Sequence, residues 1–416
     1  MKQIVIVGGG TGGIMTAAKL VKEKDMAVTV IEPAEYHYYQ PAWTLVGANT
    51  YNFEDTKKKM SEVMPAGVNW VKDYAEKLDP DNNKLITRSG EEIKYDYLVL
   101  SPGLVYDMSL IEGLEDAIDK GVVCSNYTDP KHTWDVLKNF KGGNAVFTQP
   151  TTPIKCGGAP QKIAYLAADY FRKSGIADKT NVIYATPGGV IFGIKEIKKT
   201  LEKVIDRYGI EFKPHYAPVK IDADKKIITF KFVNADASEC VINKDNKIHE
   251  KMVGDTTIEM PFDMLHLAPP QVAPKFISES VLANEFGWLD VDINTLQHKK
   301  FANIFGMGDA AALPTAKTGA AIRKQVPVVI GNIKALIASG HITDKEYNGY
   351  SSCPLVTGYG KMVLAEFDYE GNFTPDPKLK QMLIFDSSKE LTRLWWLKKY
   401  ILPRLYWNKM LKGKDV

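Results

Sequence analysis

The four cysteines of this 416-residue chain, at positions 124, 156, 240 and 353, are the side chains best suited to redox or nucleophilic chemistry. No two form a CxxC pattern, so any sulfur chemistry must join cysteines from separate parts of the chain. Cys156 stands in Lys155-Cys156-Gly157-Gly158-Ala159-Pro160, directly ahead of a predicted helix whose first turn suits Pro160. A helix N-terminus and the adjacent Lys155 should lower its thiol pKa, as a redox nucleophile requires. Cys353 lies between turn residues and a strand, in Gly349-Tyr350-Ser351-Ser352-Cys353-Pro354. Any single cysteine is equally readable as a small buried hydrophobe, and spacing alone does not bring Cys156 to Cys353. Cys240, in a polar stretch with no motif around it, reads as a buried thiol. The seven histidines show neither HExxH nor an i,i+4 pair, so no metal is predicted.

A second chemistry is written in glycines. Gly8, Gly9, Gly10 and Gly13 lie between a β-branched run, Lys2–Val7, and a helical stretch from Ile14 to Lys24. In this GxGxxG, Gly8 makes the tight turn, Gly10 lets the backbone approach a pyrophosphate, and Gly13 allows close helix–strand packing. The pyrophosphate would sit on the helix N-terminus. Glu32 ends the next strand, Ala27–Ile31, where an acid can bond ribose hydroxyls. A bound dinucleotide is therefore predicted.

The remaining elements position these residues. Tyr36–Ala48 reads as an aromatic loop. Val68–Leu78 and Lys84–Arg88 read as strands of a small antiparallel insertion. Asp96–Gly103 (DYLVLSPG) and Asn303–Asp309 (NIFGMGD) each read as a buried strand ending in a glycine turn. They resemble the strand-then-ATG element and the second FAD motif of two-dinucleotide-domain flavoproteins. That resemblance favours FAD and implicates Ser101, Gly103, Gly308 and Asp309. A second α/β unit follows the strand Asn144–Thr148. Where a nicotinamide-binding domain carries another GxGxxG, this chain has a proline-stiffened cysteine loop, which argues against NAD(P)H as electron donor. Gln161–Lys173 reads as a helix, Thr318–Ser339 as a helix broken near Pro327, and Tyr350–Phe367 as strand-rich. The expected fold is α/β, with two Rossmann-like dinucleotide-binding domains and a C-terminal amphipathic membrane-binding segment. Residues 1–107 and 300–348 would form the FAD domain, 108–299 the second Rossmann-like domain, and 349–416 a quinone- and membrane-associated region.

The chain resembles the sulfide:quinone oxidoreductases, nearest their type II group, over essentially its whole length. The segments that carry the likeness are TPIKCGGAPQK (152–162), MLHLAPP (264–270), GWLDVDINTLQH (287–298) and YSSCPLVTGYGKMVLA (350–365). The resemblance implies that Cys156 and Cys353 form a redox-active pair beside FAD. Sulfide would attack the oxidised pair, Cys353 would keep a persulfide sulfur, and Cys156 would leave as a thiolate beside the flavin. A small-molecule acceptor would take the sulfur and a quinone the electrons. Family segments also place Gln40 and Pro41 of YHYYQPAWT at the cofactor, and Lys317 and Thr318 of PTAKTGAA at its pyrimidine end; Ala75 is a further candidate cofactor contact. Cys124 is either a third functional cysteine or a buried thiol. The rival activities are a type II NADH:quinone oxidoreductase, a flavocytochrome-like sulfide dehydrogenase, or a non-catalytic redox-sensing flavoprotein.

Composition and charge bound the partners. With 45% hydrophobic and 25% charged residues the chain is a folded protein. Residues 389–414 hold eight Lys/Arg and one Glu, a balance of +7 within a total of +3, so the rest is net −4. The basic excess belongs to one tail, not to a nucleic-acid-binding face. That tail interleaves Trp395, Trp396, Tyr400, Tyr406 and Trp407 with its cations, the composition of an interfacial helix, and Pro403 is expected to split it in two. Together with Phe367, Tyr369 and Phe385, the tail aromatics are candidate quinone contacts. The strand starting right after Met1 leaves no room for a leader. A peripheral protein on the cytoplasmic face of a prokaryotic membrane is therefore expected, with a homo-oligomer left open.

Overall fold

The computed structural model describes residues 1–234 and 247–415. Cys240 lies outside the described residues. Two five-stranded parallel sheets organise the chain. The first runs in the order 304–306, 97–100, 2–7, 26–31 and 69–71. The second runs 123–124, 264–267, 143–148, 180–186 and 211–214. Their central strands carry the buried apolar runs Ile4–Val7 and Ala145–Phe147, as parallel strands covered on both faces must.

In an open parallel sheet, ligands bind beyond the carboxyl ends of the strands. At that edge of the first sheet stand Gly8 after Val7, Glu32 after Ile31, Ser101 after Leu100, and Gly308 just past Gly306. At the same edge of the second sheet, Thr148 leads into the cysteine loop, which ends at the helix Ala159–Lys173. Pro160 occupies that helix's first turn and Arg172 and Lys173 its last, so its ends suit the peptide dipole. An antiparallel hairpin, Ser351–Gly358 with Lys361–Phe367, carries Cys353 and packs against this helix.

Several local expectations are corrected. The stretch 68–78 is not one strand. Asn69–Val71 joins the first sheet, while Ala75–Asp79 starts a separate antiparallel sheet, because Asp73 accepts hydrogen bonds from the Tyr74 and Ser89 amides and bends the chain between them. The aromatic loop is ordered as a short strand, Tyr36–Tyr38, a 3-10 turn at Gln40–Ala42 and a helical turn at Trp43–Val46. Pro327 does not break its helix: Gly319–Ser339 is continuous, and the burial of Val326, Val328 and Val329 offsets the proline's cost of about 3 kcal/mol.

Pro403 does not split the tail either. Thr392–Trp396 passes through a π-helical turn, Leu397–Ile401, into Leu402–Asn408. The wider turn makes room for the ring at the carbonyl four residues back. Most tail apolar residues pack on the body: Leu394, Trp395 and Leu397 join the core around the cysteines, and Tyr406, Trp407 and Leu411 the core of the first sheet. Each such burial contributes roughly 1.5–3 kcal/mol. Trp396 and Tyr400 remain 55% and 52% exposed, with Ile401 beside them in the chain. Among the described residues no helix is long and apolar enough to cross a membrane.

Candidate active site

Cys156 and Cys353 arrive from the loop after a strand of the second sheet and from the first strand of the hairpin, and their sulfurs stand 3.8 Å apart. Gly158 makes this approach feasible. A Cβ there would lie 2.6 Å from the Cys353 sulfur and 2.3 Å from Leu355 Cδ2. Cys156 adopts a left-handed backbone, φ +53°, which costs a non-glycine residue of order 1–2 kcal/mol. Neighbours hold it there. Its N–H donates to the Lys317 carbonyl at 2.9 Å, and its own carbonyl accepts from the Ala159 amide at 2.7 Å and the Tyr127 hydroxyl at 3.4 Å.

The two sulfurs are electrostatically unequal. Lys162 Nζ donates to Cys156 Sγ at 3.0 Å. A hydrogen bond from Cys353, then the charges of Lys162 and Lys398, outweigh burial and hold the Cys156 thiol well below its usual range. The bond to Cys156, with burial, pushes the Cys353 thiol well above its own. Burial works against the Lys162 charge too, but the paired sulfurs overcome it and raise its pKa. In the reduced pair this asymmetry favours the thiolate at Cys156 and the thiol at Cys353. Lys398, from the tail, donates to the Pro41 carbonyl at 3.1 Å, and burial followed by repulsion from Lys162 lowers its pKa to about 7.

Lysine 155 has a different place from the one expected. It does not hydrogen-bond the sulfur beside it in sequence; its ammonium lies 3.2 Å from Asp309 Oδ2 and donates to Gln40 Oε1. Lys162, six residues past Cys156 and one turn into the helix, supplies the contact instead. Helical side chains lean toward the N-terminus, so that position overhangs the loop. Nothing in the sequence marks Lys398, Gly158 or Tyr127 as site residues, and only the lean of a helix just after a cysteine offers a signal for Lys162.

The glycine turn has the shape a dinucleotide needs. Gly8 has φ +102°, and a Cβ on Gly13 would fall 1.8 Å from the Gly8 carbonyl oxygen. A Cβ on Gly10 would meet nothing within 4 Å, and no side chain caps the Thr11–Leu20 helix that follows. Open space therefore faces uncapped helix amides, the cradle a pyrophosphate fits. Glu32 Oε2 accepts from the Gly9 amide at 2.6 Å. Ser101 donates its amide to the Val7 carbonyl, and Gly103 turns with φ +78°. Ala75 lies in the cluster of Val5, Val7 and Ile31, apart from the cysteines.

Further along the same edge, Gly308 donates to Gln325 Oε1. Lys317 is buried, donates to the carbonyls of Asp309 (2.6 Å) and Ala311 (3.0 Å), and rests 4.1 Å from the Trp288 ring centroid. Burial lowers its pKa to about 8. Thr318 caps the long helix through the Ala321 amide and meets the Ser351 hydroxyl at 2.9 Å. A cleft of about 260 Å³ is lined by Pro153, Ile154 and Gly157 together with Trp288, Leu313 and Lys317. Cys124 packs in the core and donates to the Leu265 carbonyl at 3.5 Å, and burial pushes its thiol up to about 12. Phe367 and Tyr369 are tied into the body, Tyr369 through the Ile293 carbonyl, whereas Phe385 is exposed.

Residues 2–327 match the pyridine nucleotide-disulphide oxidoreductase family. The mouse mitochondrial sulfide:quinone oxidoreductase is 39% identical over 414 residues, covering 99% of this chain and 86% of that protein. The chain belongs to the sulfide:quinone oxidoreductase family. A Dictyostelium discoideum mitochondrial sulfide:quinone oxidoreductase is likewise 39% identical, over 99% of this chain and 86% of its own length. The crystal structure of the sulfide:quinone oxidoreductase of Aquifex aeolicus superposes with a TM-score of 0.78 at 22% identity, over 100% of this chain and 92% of that one, and shows the shared fold. Members of the sulfide:quinone oxidoreductase family are FAD-dependent oxidoreductases, and this chain is a flavoprotein enzyme of that kind. The expected cytoplasmic face of a prokaryotic membrane is corrected: the mouse and Dictyostelium relatives are mitochondrial proteins of eukaryotes.

Proposed function

We propose that this enzyme oxidises sulfide through Cys156 and Cys353, passing one sulfur to a small-molecule acceptor and two electrons through FAD to a quinone. The observation that carries the reading is the unequal sulfur pair, 3.8 Å apart, with Lys162 Nζ donating to Cys156 Sγ at 3.0 Å. When the pair is oxidised, HS⁻ attacks Cys353. The bond to Cys156 breaks, and Cys156 leaves as a thiolate that Lys162 stabilises, which makes it the better leaving group. Cys353 then carries the sulfane sulfur. A second nucleophile takes that sulfur and leaves Cys353 as a thiolate, and rejoining the two cysteines releases two electrons. FAD, when bound, accepts that electron pair and delivers it to the quinone. Gly8–Gly13, Glu32, Ser101, Gly103 and Ala75 would hold its nucleotide half, and Gln40, Pro41, Gly308, Asp309, Lys317 and Thr318 its flavin half.

In this reading residues 1–107 and 300–348 hold the flavin. Residues 108–299 form a Rossmann-like domain whose phosphate cradle is replaced by the cysteine loop. Residues 349–416 bring the enzyme to the membrane, where Trp396, Tyr400 and Ile401 with neighbouring Lys399 and Arg404 present an apolar and basic face to lipid. The absence of a second GxGxxG disfavours the NADH:quinone alternative. A Cys353→Ser variant tests the reading. It should bind FAD normally and lose flavin reduction by sulfide, and full retention of that reduction would sink the cysteine mechanism.

A further inference from the structure

The C-terminal tail reaches the glycine turn itself. Tyr406 OH lies 2.9 Å from Thr11 Oγ1 and 2.5 Å from His37 Nε2, although 395 and 369 positions separate the partners. The other nitrogen of His37 lies 2.9 Å from the Gly9 carbonyl oxygen. That carbonyl can only accept, so His37 Nδ1 must carry the hydrogen. Burial, its largest influence, holds His37 neutral, with a pKa near 4. A neutral imidazole has one N–H, so Nε2 accepts, Tyr406 must donate to it, and the Tyr406 oxygen is left to accept from Thr11. The chain of bonds therefore has one direction, Thr11 to Tyr406 to His37 to Gly9, and it closes a ring around the turn. The opposite side of Gly9 is held by Glu32. Both side chains of the relay are buried, and Tyr39 and Trp407 pack on the Tyr406 ring at 4.7 and 5.1 Å between centroids.

We propose that Tyr406 and His37 are positioning residues of the FAD site: the tail, through this relay, holds the Gly9–Thr11 turn in the orientation that presents Gly10 and the helix amides to the pyrophosphate. The nucleotide site is thus completed by residues from the far end of the chain. The same helical tail reaches the Pro41 carbonyl with Lys398, so it spans from the pyrophosphate turn to the loop expected at the flavin ring.

The test is the rate of FAD release from the purified holoenzyme, followed by the fluorescence of flavin leaving the protein after dilution. It needs neither sulfide nor quinone, so its outcome is independent of the reaction proposed above. Tyr406→Phe keeps the ring and removes the hydroxyl; Trp407→Phe disturbs the same aromatic cluster but lies off the relay. Both are compared below the melting temperature of the less stable variant. FAD should leave Tyr406→Phe about 5- to 10-fold faster than wild type, the weight of one or two buried hydrogen bonds, while Trp407→Phe releases it at nearly the wild-type rate. Release from Tyr406→Phe at the wild-type rate, or equal acceleration in both variants, would overturn the proposal. The first would mean the relay does not bear on the cofactor, the second that tail packing alone does.

Discussion

Replacing Lys162 by methionine removes the charge at the site while preserving an unbranched side chain of similar length in a helix interior. The ammonium donates to Cys156 Sγ at 3.0 Å from within the buried core. A hydrogen bond to a charged partner contributes about 1.5–3 kcal/mol. Its loss removes that stabilisation of the thiolate and should raise the Cys156 thiol pKa. The direction is fixed by charge: a cation favours the thiolate, so losing it favours the neutral thiol. The Cys353 hydrogen bond and Lys398 remain, so the shift is partial. The assay is alkylation of the reduced holoenzyme by iodoacetamide across pH, with the modified peptide identified by mass spectrometry. Wild-type Cys156 should stay reactive well below the range of an ordinary thiol, whose pKa is about 8.5. Lys162→Met should displace the profile upward, and Lys162→Arg should restore most of it. A Lys155→Met change should move it far less, because Lys155 engages Asp309 and Gln40. A Lys162→Met profile superimposed on wild type would refute the reasoning.

Four further outcomes are expected. Gly158→Ala places a methyl 2.6 Å from the Cys353 sulfur; flavin reduction by sulfide should slow by up to about 10²-fold with FAD content unchanged, as misplacement of reacting atoms does. Cys124→Ala should leave sulfide-dependent flavin reduction intact and lower only the melting temperature, since that thiol packs in the core. Replacing Trp396, Tyr400 and Ile401 together by serine should weaken binding to anionic liposomes without loss of fold. Deleting 389–416 should instead destabilise the protein, because Leu394, Trp395 and Leu411 belong to its cores.

The glycine turn, Glu32 and the two strand-and-glycine elements were legible because each is local: strand, turn and helix lie within a few residues, and the parallel-sheet rule gathers their ends. The cysteine pair rested on resemblance, since a separation of 197 positions carries no signal of contact by itself. Lys162 lies inside the segment TPIKCGGAPQK, but its role is not legible there, because it depends on which way a helical side chain leans. Lys398 and Tyr406 were invisible for a stronger reason. Tail composition speaks of an amphipathic surface, yet which face meets lipid and which meets protein is decided by shapes on the body, and the same aromatic residues suit either. The π-helical turn before Pro403 likewise follows from packing on both sides of the proline, which overrides its local tendency to end a helix.

The central claim is that electrons enter this flavoprotein from sulfide through the cysteines. Anaerobic addition of sulfide, and separately of NADH, to the oxidised holoenzyme while the flavin absorption is recorded tests it most directly. Bleaching by sulfide alone, reversed by a soluble quinone and lost in Cys353→Ser, is the predicted result. Bleaching by NADH with no response to sulfide would contradict the account and place a nicotinamide site where the cysteine loop now stands.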